Sequence, residues 1–434
     1  MKKSVRRALW CVVLLLLLRL GWSVWGWCKE FFKEEAEPEK KAFVMPKDSP
    51  LRGSLPFWQV DSSKVAIALY DITADEMVYE LHADRLMAPA SCMKLLTAIT
   101  ALKRLGTDAH YVSRLLCHGT IHRGTLYGSL IFEGDDDPLF ESFEPMVNAL
   151  KQRGIQRIVG DVVLDLARND TLRPHSTASA WDILYGKLPL LLKGENFVRR
   201  QLLYTLSLAG IKMERSGVVR KGDFSSPFMR RAWLNGIESG ATLIAAERHS
   251  LREVIAPMLI HSSNIKAESV LWHTDNMFYR WGAAHVSSAQ LPASSLKTFI
   301  REEMPEEDTA GFVINDGSGL SPANRLTARF LAHLMVYAWH DDEIRHVLID
   351  EALATPQGGV RRGSLINRMS APKFKNRVFC KTGTLTTIGS SSLSGYIHSE
   401  NGHWYAFSII NEDTPVYDGR QFQDRICRIV IEAR

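Results

Sequence analysis

Apolar and polar residues are distributed differently in the N-terminal segment and in the rest of the chain. Residues 2–7 are rich in basic side chains and residues 8–18 form an apolar run, which is the pattern of a segment that targets a chain to a membrane. Residues 29–57 are charged, contain proline and lack apolar periodicity, as is typical of a linker. We therefore predict a signal peptide or membrane anchor over residues 1–28, with its cleavage left open, and a folded region from residue 58.

Short strands are predicted at both ends of the folded region. Residues 65–70 and 77–81 flank a polar turn, which indicates an antiparallel hairpin. An apolar helix is predicted over residues 91–106. Near the C-terminus, three strand patterns precede a last helix, and Asn401-Gly402 between the final two strands is a strong hairpin signal.

The middle of the chain has a different texture. Residues 107–175 are rich in strand patterns around one helix, which predicts a smaller inserted α+β domain. The main domain would then consist of residues 58–106 and 176–434, a mixed α/β unit. Helical patterns recur in this second part at residues 196–210, 250–264 and 326–340.

Composition is that of an ordinary globular protein, with 46% hydrophobic and 23% charged residues among 434. The formal net charge of +5 comes from five basic residues in the first 28 positions, which carry no acid: Lys2, Lys3, Arg6, Arg7 and Arg19. Subtracting these five leaves residues 29–434 at zero. A nucleic-acid-binding function therefore loses its main support.

The six cysteines show no CxxC pair and no Cys/His cluster at metal-binding spacing, so no zinc site is predicted. They are Cys11, Cys28, Cys92, Cys117, Cys380 and Cys427. Two of them, Cys92 and Cys380, adjoin motifs described below, so we expect them to lie close together in the fold. Buried free thiols are the preferred interpretation of the cysteines, and disulfides are the alternative.

The first candidate for chemistry is Ser91-Cys92-Met93-Lys94, at the start of an apolar helix. A spacing of i, i+3 places the serine hydroxyl and the lysine amine on one face of a helix. A desolvated lysine with a lowered pKa can activate a serine nucleophile. The pattern alone is weak evidence, because the chain contains a second match at Ser294 and Lys297, which we interpret as an ordinary helix start.

The second candidate is Ser262-Ser263-Asn264, which follows a predicted helix. A serine hydroxyl can relay a proton and an asparagine amide can hold a substrate carbonyl, but the same residues would also make an ordinary helix cap or turn. Ser399 and Asn401 form a second match, best explained by the final hairpin.

The third candidate is Lys381-Thr382-Gly383-Thr384 on a predicted strand. Lysine and hydroxyl groups on a strand edge can bind a carboxylate, and glycine allows close approach of a substrate backbone. An ordinary strand with one polar face is the alternative, and it becomes improbable only when the three motifs are considered together in this order.

In this order the motifs resemble those of the penicillin-recognising serine hydrolases. Within that group the chain looks like the D-alanyl-D-alanine carboxypeptidase/endopeptidases, the low-molecular-mass class C penicillin-binding proteins. Residues 315–321 (NDGSGLS) are very similar to a segment of that family, and residues 363–365 resemble another. Residues 160–165, and more weakly Trp181-Asp182, resemble its inserted region.

The resemblance implies a fold with an antiparallel sheet flanked by helices, the two N-terminal strands beside the C-terminal ones. It also implies a two-step hydrolysis of peptidoglycan stem peptides, without a cofactor, in an exported protein on the outer face of the membrane or in the periplasm. β-Lactams would be covalent inhibitors. The implied catalytic residues are Ser91 as nucleophile, Lys94 as base and Ser262 as proton relay. The implied substrate-binding residues are Asn264, Lys381, Thr382, Gly383 and Thr384, with the backbone N–H groups of residues 91 and 384 forming the oxyanion hole.

Two departures from the family pattern leave questions open. Ser263 replaces a common aspartate, and only 171 positions separate Ser91 from Ser262, so we expect one inserted domain rather than two. The choice between carboxypeptidase and endopeptidase is open. The alternatives are a β-lactamase or esterase on the same scaffold and a catalytically silent wall-binding protein, against which the intact motifs argue.

Overall fold

The computed structural model describes residues 60–168, 170–178, 185–214, 219–221, 240–281 and 293–433. The predicted targeting segment, the linker, Trp181 and Asp182 lie outside these residues. Within the described residues, no helix combines the length and the apolar character needed to cross a membrane.

Five of the described strands form an antiparallel sheet, here called sheet A, which carries the third motif on its edge. Its strands are β1 (Val65–Asp71), β2 (Glu76–Leu81), β10 (Val378–Leu385), β11 (Ser390–His398) and β12 (Trp404–Asn411), in the order β10-β11-β12-β1-β2. β1 pairs with β12, so the N-terminal hairpin lies beside the C-terminal strands as predicted. β11 and β12 form the hairpin predicted at Asn401-Gly402.

Helices cover both faces of sheet A because successive strand residues point to opposite sides. Ala66 and Ala68 of β1 belong to the apolar core that includes helix α7 (Ala328–Trp339). Val65, Ile67 and Leu69 belong to the core on the opposite face, which includes helix α9 (Val416–Ile431). The predicted fold class is therefore confirmed.

Helix α1 (Met93–Leu105) is the central helix of the main domain. Every residue from Met93 to Leu102 is buried, as expected for a helix that is apolar around most of its circumference. The helices that complete this domain are α4 (Leu251–Ile260), α5 (Asn264–Trp281), α6 (Ser294–Glu303) and the short α8 (Asp342–His346). Helices α4, α5 and α6 all contact α1.

A second sheet of the described chain, sheet B, lies in the inserted region. Its strands are β3 (His110–His122), β4 (Thr125–Gly134), β5 (Arg157–Val159), β6 (Val162–Leu166), β7 (Lys212–Met213), β8 (Val219–Lys221) and β9 (Ala241–Ser250). The main path is β7-β5-β4-β3-β9, with β6 pairing β4 and β8. Helices α2 (Glu144–Gln152) and α3 (Glu195–Leu208) pack in its core.

Sheet B does not end at the domain boundary predicted at residue 175. β9 pairs along its whole length with β3, and the buried residues of α3 pack in the same core as β4 and β6. Most residues of β9 are exposed or half-buried, so the strand lacks the apolar alternation by which it could have been predicted. Sheet B and its core therefore include segments of the chain as far as Ser250.

Candidate active site

Ser91 lies in a tight 3₁₀ turn, Ala90–Cys92, that leads directly into α1. Ala90 has a φ of 47°, a left-handed conformation that costs a non-glycine residue about 1–2 kcal/mol. Its carbonyl oxygen packs against Gly319, where any Cβ atom would overlap it. The turn leaves Ser91 half-buried while its neighbour Cys92 is fully buried.

Lys94 lies one helical turn after Ser91 and is completely buried. Its Nζ donates to Ser91 Oγ at 2.9 Å, to Asn264 Oδ1 at 2.7 Å and to the Ser318 carbonyl oxygen at 2.5 Å. The structure thus brings the serine and lysine of the first motif together and connects them to α5 and to the 315–321 segment.

Ser262 lies in the turn between α4 and α5, with a φ of 58°. It occupies the position after the helix cap where glycine is usual, and the N–H of Ser263 donates to the Met258 carbonyl at 3.1 Å, as in a Schellman motif. Ser262 and Ser263 therefore do form the helix cap that was the alternative interpretation of this segment. A serine at this position bears a cost of about 1–2 kcal/mol that the usual glycine would not.

The Lys381 side chain joins the third motif to the second. Lys381 lies on the edge strand β10, is completely buried, and donates from Nζ to Ser262 Oγ at 2.8 Å and to the Thr382 carbonyl at 2.7 Å. Burial lowers the pKa of Lys381 to about 8, because the charged form loses its hydration. Each of the two lysines is therefore hydrogen-bonded to a motif serine.

Gly383 is where β10 passes closest to Ser91. A Cβ atom at this position would lie 2.9 Å from the Ser91 nitrogen and 2.9 Å from the Pro89 carbonyl oxygen, and would overlap Ser392 Oγ. Only glycine fits this approach, which brings the strand backbone against the N–H of Ser91.

Two further side chains bind the hydroxyl groups of the third motif. Thr382 Oγ1 donates to Ser364 Oγ at 2.8 Å, and Arg420 Nη2 donates to Thr384 Oγ1 at 2.8 Å. Ser364 belongs to the 363–365 segment singled out in the sequence, whereas Arg420 on α9 carries no local signal that could have identified it.

The second Ser-x-x-Lys match has a different environment. Ser294 is the first residue of α6, its hydroxyl lies 3.5 Å from Asp275 Oδ1, and Lys297 is exposed to solvent. The pair lies at a helix start, as predicted, but the N-cap is Ala293, which makes no side-chain capping hydrogen bond, and Ser294 is half-buried rather than solvated.

A model of the D-Ala-D-Ala carboxypeptidase 3 (S13) family matches residues 58–183 and 228–432. The chain belongs to this family. The family resemblance of the motifs is thus confirmed, and the S13 chain is a serine-type hydrolase of the low-molecular-mass class C penicillin-binding proteins.

Individual relatives span most of this S13 chain. D-alanyl-D-alanine carboxypeptidase DacB of Haemophilus influenzae is 23% identical over 418 residues, which cover 80% of this chain and 85% of that protein. The crystal structure of penicillin binding protein 4 from the same organism has a TM-score of 0.69 at 18% identity, covering 89% of this chain and 100% of that one. A predatory peptidoglycan endopeptidase of Bdellovibrio bacteriovorus has a TM-score of 0.56 at 14% identity, covering 85% and 92%. These structures show the fold.

Glu268 and Asp316 are parts of the S13 site for which no role was predicted. Asp316 belongs to the 315–321 segment, while Glu268 lies on α5 one turn after Asn264 and is almost fully buried. Burial and the negative charge of Asp316 raise the pKa of Glu268 to about 8. Only the fold reveals that this carboxyl group faces the loop that binds Lys94.

Proposed function

We propose that this chain cleaves D-alanine-ended or D-alanine-crosslinked peptides of peptidoglycan through an acyl-enzyme on Ser91, with Lys94 as the base. The observation that carries the proposal is the 2.9 Å contact between Lys94 Nζ and Ser91 Oγ, inside a site from which the lysine has no access to solvent. Serine is a weak nucleophile unless a base takes its proton.

In the first step, neutral Lys94 accepts the Ser91 proton while Ser91 Oγ attacks the carbonyl carbon of the penultimate D-alanine. The resulting oxyanion would lie between the backbone N–H groups of Ser91 and Thr384, and the contact of Gly383 with Ser91 supports this placement. Collapse of the tetrahedral intermediate breaks the peptide bond, and the proton passes to the leaving amine.

In the second step, a water molecule loses a proton to neutral Lys94 and attacks the ester carbonyl, and collapse of the intermediate releases the shortened peptide while the proton returns to Ser91 Oγ. Ser262 is suited to relay protons, because its Oγ accepts a hydrogen bond from Lys381 Nζ. With a pKa of about 8, Lys381 can change protonation state near neutral pH, which suits a group beside a proton relay.

Substrate binding would use the polar groups around the nucleophile. Asn264, whose Oδ1 accepts from Lys94, would present its amide N–H group to a substrate carbonyl. Thr382 and Thr384 line the strand edge, and the positive charge of Lys381 would attract the terminal carboxylate. Because Lys381 is completely buried, we expect this attraction to act across Ser262 and the threonines rather than through exposed contact.

The same acyl-enzyme serves two reactions that differ only in the leaving amine: free D-alanine in a carboxypeptidase, and a crosslinking side chain in an endopeptidase. The names of relatives include both activities, and we propose both for this chain. We further propose that β-lactams acylate Ser91, and that the chain works outside the cytoplasmic membrane, where peptidoglycan lies. The N-terminal segment would serve as its targeting signal or membrane anchor.

Labelling with a fluorescent penicillin, followed by intact mass measurement, tests the proposal. Purified full-length protein should be labelled at a single site, and Ser91→Ala should abolish labelling. Ser294→Ala is the matched control, because it alters the other Ser-x-x-Lys serine and should label like the wild type. Labelling that survives Ser91→Ala, or no labelling of folded wild type, would contradict the proposal.

A further inference from the structure

The acceptors around Lys94 determine where its lone pair points. A neutral lysine amine has two N–H donors and one lone pair, and it is a base toward Ser91 only if that lone pair faces Ser91 Oγ. Two of the oxygens near Nζ, Asn264 Oδ1 and the Ser318 carbonyl, can only accept hydrogen bonds. When these two receive the N–H groups, the remaining position on nitrogen faces the serine hydroxyl.

The Ser318 carbonyl is held in place by a carboxylate on the other side of the same peptide group. The N–H of Gly319, which shares a peptide unit with that carbonyl, donates to Asp316 Oδ1 at 2.7 Å. The other Asp316 oxygen accepts from the N–H of Ser321 at 2.7 Å, and Asn324 Nδ2 donates to Oδ1 at 2.9 Å. One buried carboxyl group thus fixes the loop that presents the carbonyl to Lys94.

A second carboxyl group holds the preceding peptide unit. Glu268 Oε1 accepts from the N–H of Ser318 at 2.9 Å. Glu268 lies four residues after Asn264 on α5, so the amide and the carboxyl project from the same face of one helix. Both oxygens that orient the Lys94 amine are therefore connected to α5, one directly and one through Ser318.

We propose that Glu268 and Asp316 are positioning residues that aim the Lys94 lone pair at Ser91 by holding Ser318. The inference rests on the proposed role of Lys94 as the base. Both carboxyl groups are buried, and their effect is transmitted through one backbone carbonyl. A shift of that carbonyl by about 1 Å would misdirect the amine and can cost about 100-fold in rate.

The protonation of Glu268 distinguishes this role from an electrostatic one. Because its pKa is raised to about 8, the Glu268 carboxyl group is mostly uncharged at neutral pH. Glutamine keeps the oxygen that accepts from Ser318 and has almost the same shape, so Glu268→Gln should preserve the function, whereas Glu268→Ala removes the acceptor.

The test is the single-turnover rate of acylation by a fluorescent penicillin, with the labelled amplitude measured in the same experiment. The amplitude reports the fraction of folded, competent enzyme, and the rate constant reports the geometry of the base. We expect Glu268→Ala to acylate about 10- to 100-fold more slowly at full amplitude, and Glu268→Gln to stay within about 3-fold of wild type. If Glu268→Ala does not fold, Glu268→Asp, which withdraws the acceptor by one methylene, should show the same slow rate.

Asp275 provides a matched control. It is another buried carboxyl group on α5, it accepts a backbone N–H from Ser295 at 2.9 Å, and its pKa is raised to about 6 by burial. Asp275→Ala should lower the thermal midpoint while leaving the acylation rate unchanged.

Two results would overturn the inference: a wild-type rate for the alanine or aspartate variant, or a glutamine variant as slow as alanine. Ser91→Ala and Lys94→Ala are measured in parallel to distinguish a failure of the positioning role from a failure of the proposed mechanism. If those two lose acylation while Glu268→Ala keeps it, only the positioning role fails. If Lys94→Ala acylates normally, the proposed mechanism itself fails.

Discussion

The left-handed conformation of Ser262 leads to a prediction in which stability and activity respond differently to the same pair of substitutions. At a φ of 58°, any residue other than glycine costs about 1–2 kcal/mol. Replacement by glycine removes this cost but adds about 0.5–1 kcal/mol of backbone entropy in the unfolded chain. Both Ser262→Gly and Ser262→Ala lose the hydrogen bond from Lys381, so that loss cancels when the two are compared.

We therefore expect Ser262→Gly to be more stable than Ser262→Ala by about 0.5–1 kcal/mol. Equilibrium unfolding in urea measures this difference directly. Ser207 of α3 is the control, because it is exposed, lies in a helix and has no positive φ. There the order should be reversed, with Ser207→Ala more stable than Ser207→Gly by about 0.5–1 kcal/mol.

Acylation should not distinguish the two Ser262 variants. If Ser262 relays protons, both should acylate at least about 100-fold more slowly than wild type, since neither has a hydroxyl group. An alanine variant as stable as the glycine variant would refute the strain argument. Wild-type acylation by either variant would remove Ser262 from the relay.

Four further outcomes are expected. Gly383→Ala should slow acylation at least about 10-fold, since its Cβ would contact the Ser91 nitrogen; an unchanged penicillin-labelling rate would contradict this. In the folded protein the pKa of Lys381 is lowered to about 8 from its ordinary 10.5. Between these two pH values the unfolded chain binds more protons than the folded one, so the free energy of unfolding rises with pH. The stability of Lys381→Met relative to wild type should therefore fall by on the order of 2 kcal/mol from about pH 8 to about pH 9.5, measured by unfolding at both; a constant difference would count against the shifted pKa. Peptides amidated at the terminal carboxylate should be hydrolysed more slowly than the free acids in a product-release assay, and equal rates would argue against carboxylate binding by Lys381. Iodoacetamide should leave Cys92 unmodified in the folded protein, by peptide mass mapping, because burial raises the pKa of this thiol; rapid alkylation would mean that the site opens.

The sequence alone was sufficient for the motifs and for most of the strands and helices. A Ser-Lys pair at i, i+3 has its geometry set by the helix itself, so Ser91 and Lys94 could be placed together without a fold. Hairpins are equally local, and the pairing of β11 with β12 was predicted from the Asn401-Gly402 turn between two strand patterns. The order of the three motifs then indicated the family.

Contacts between distant segments could not be predicted in this way. The Ser318 carbonyl is 224 positions from Lys94, and Glu268 and Arg420 belong to none of the motifs. The extent of sheet B could not be predicted either, because the sequence of β9 lacks the apolar alternation of a strand. A local pattern reports only on residues that are neighbours in one helix, strand or turn.

The structure also decided which chemistry each motif residue can perform. The depressed pKa of Lys381 arises from complete burial, and the need for glycine at 383 arises from the approach of β10 to Ser91. Both are properties of packing between segments almost 300 positions apart, where solvent exclusion and steric contact depend on the whole fold. The sequence by itself thus determined which reacting groups are present, and only the tertiary structure decided their protonation, their strain and the oxygens that orient the base.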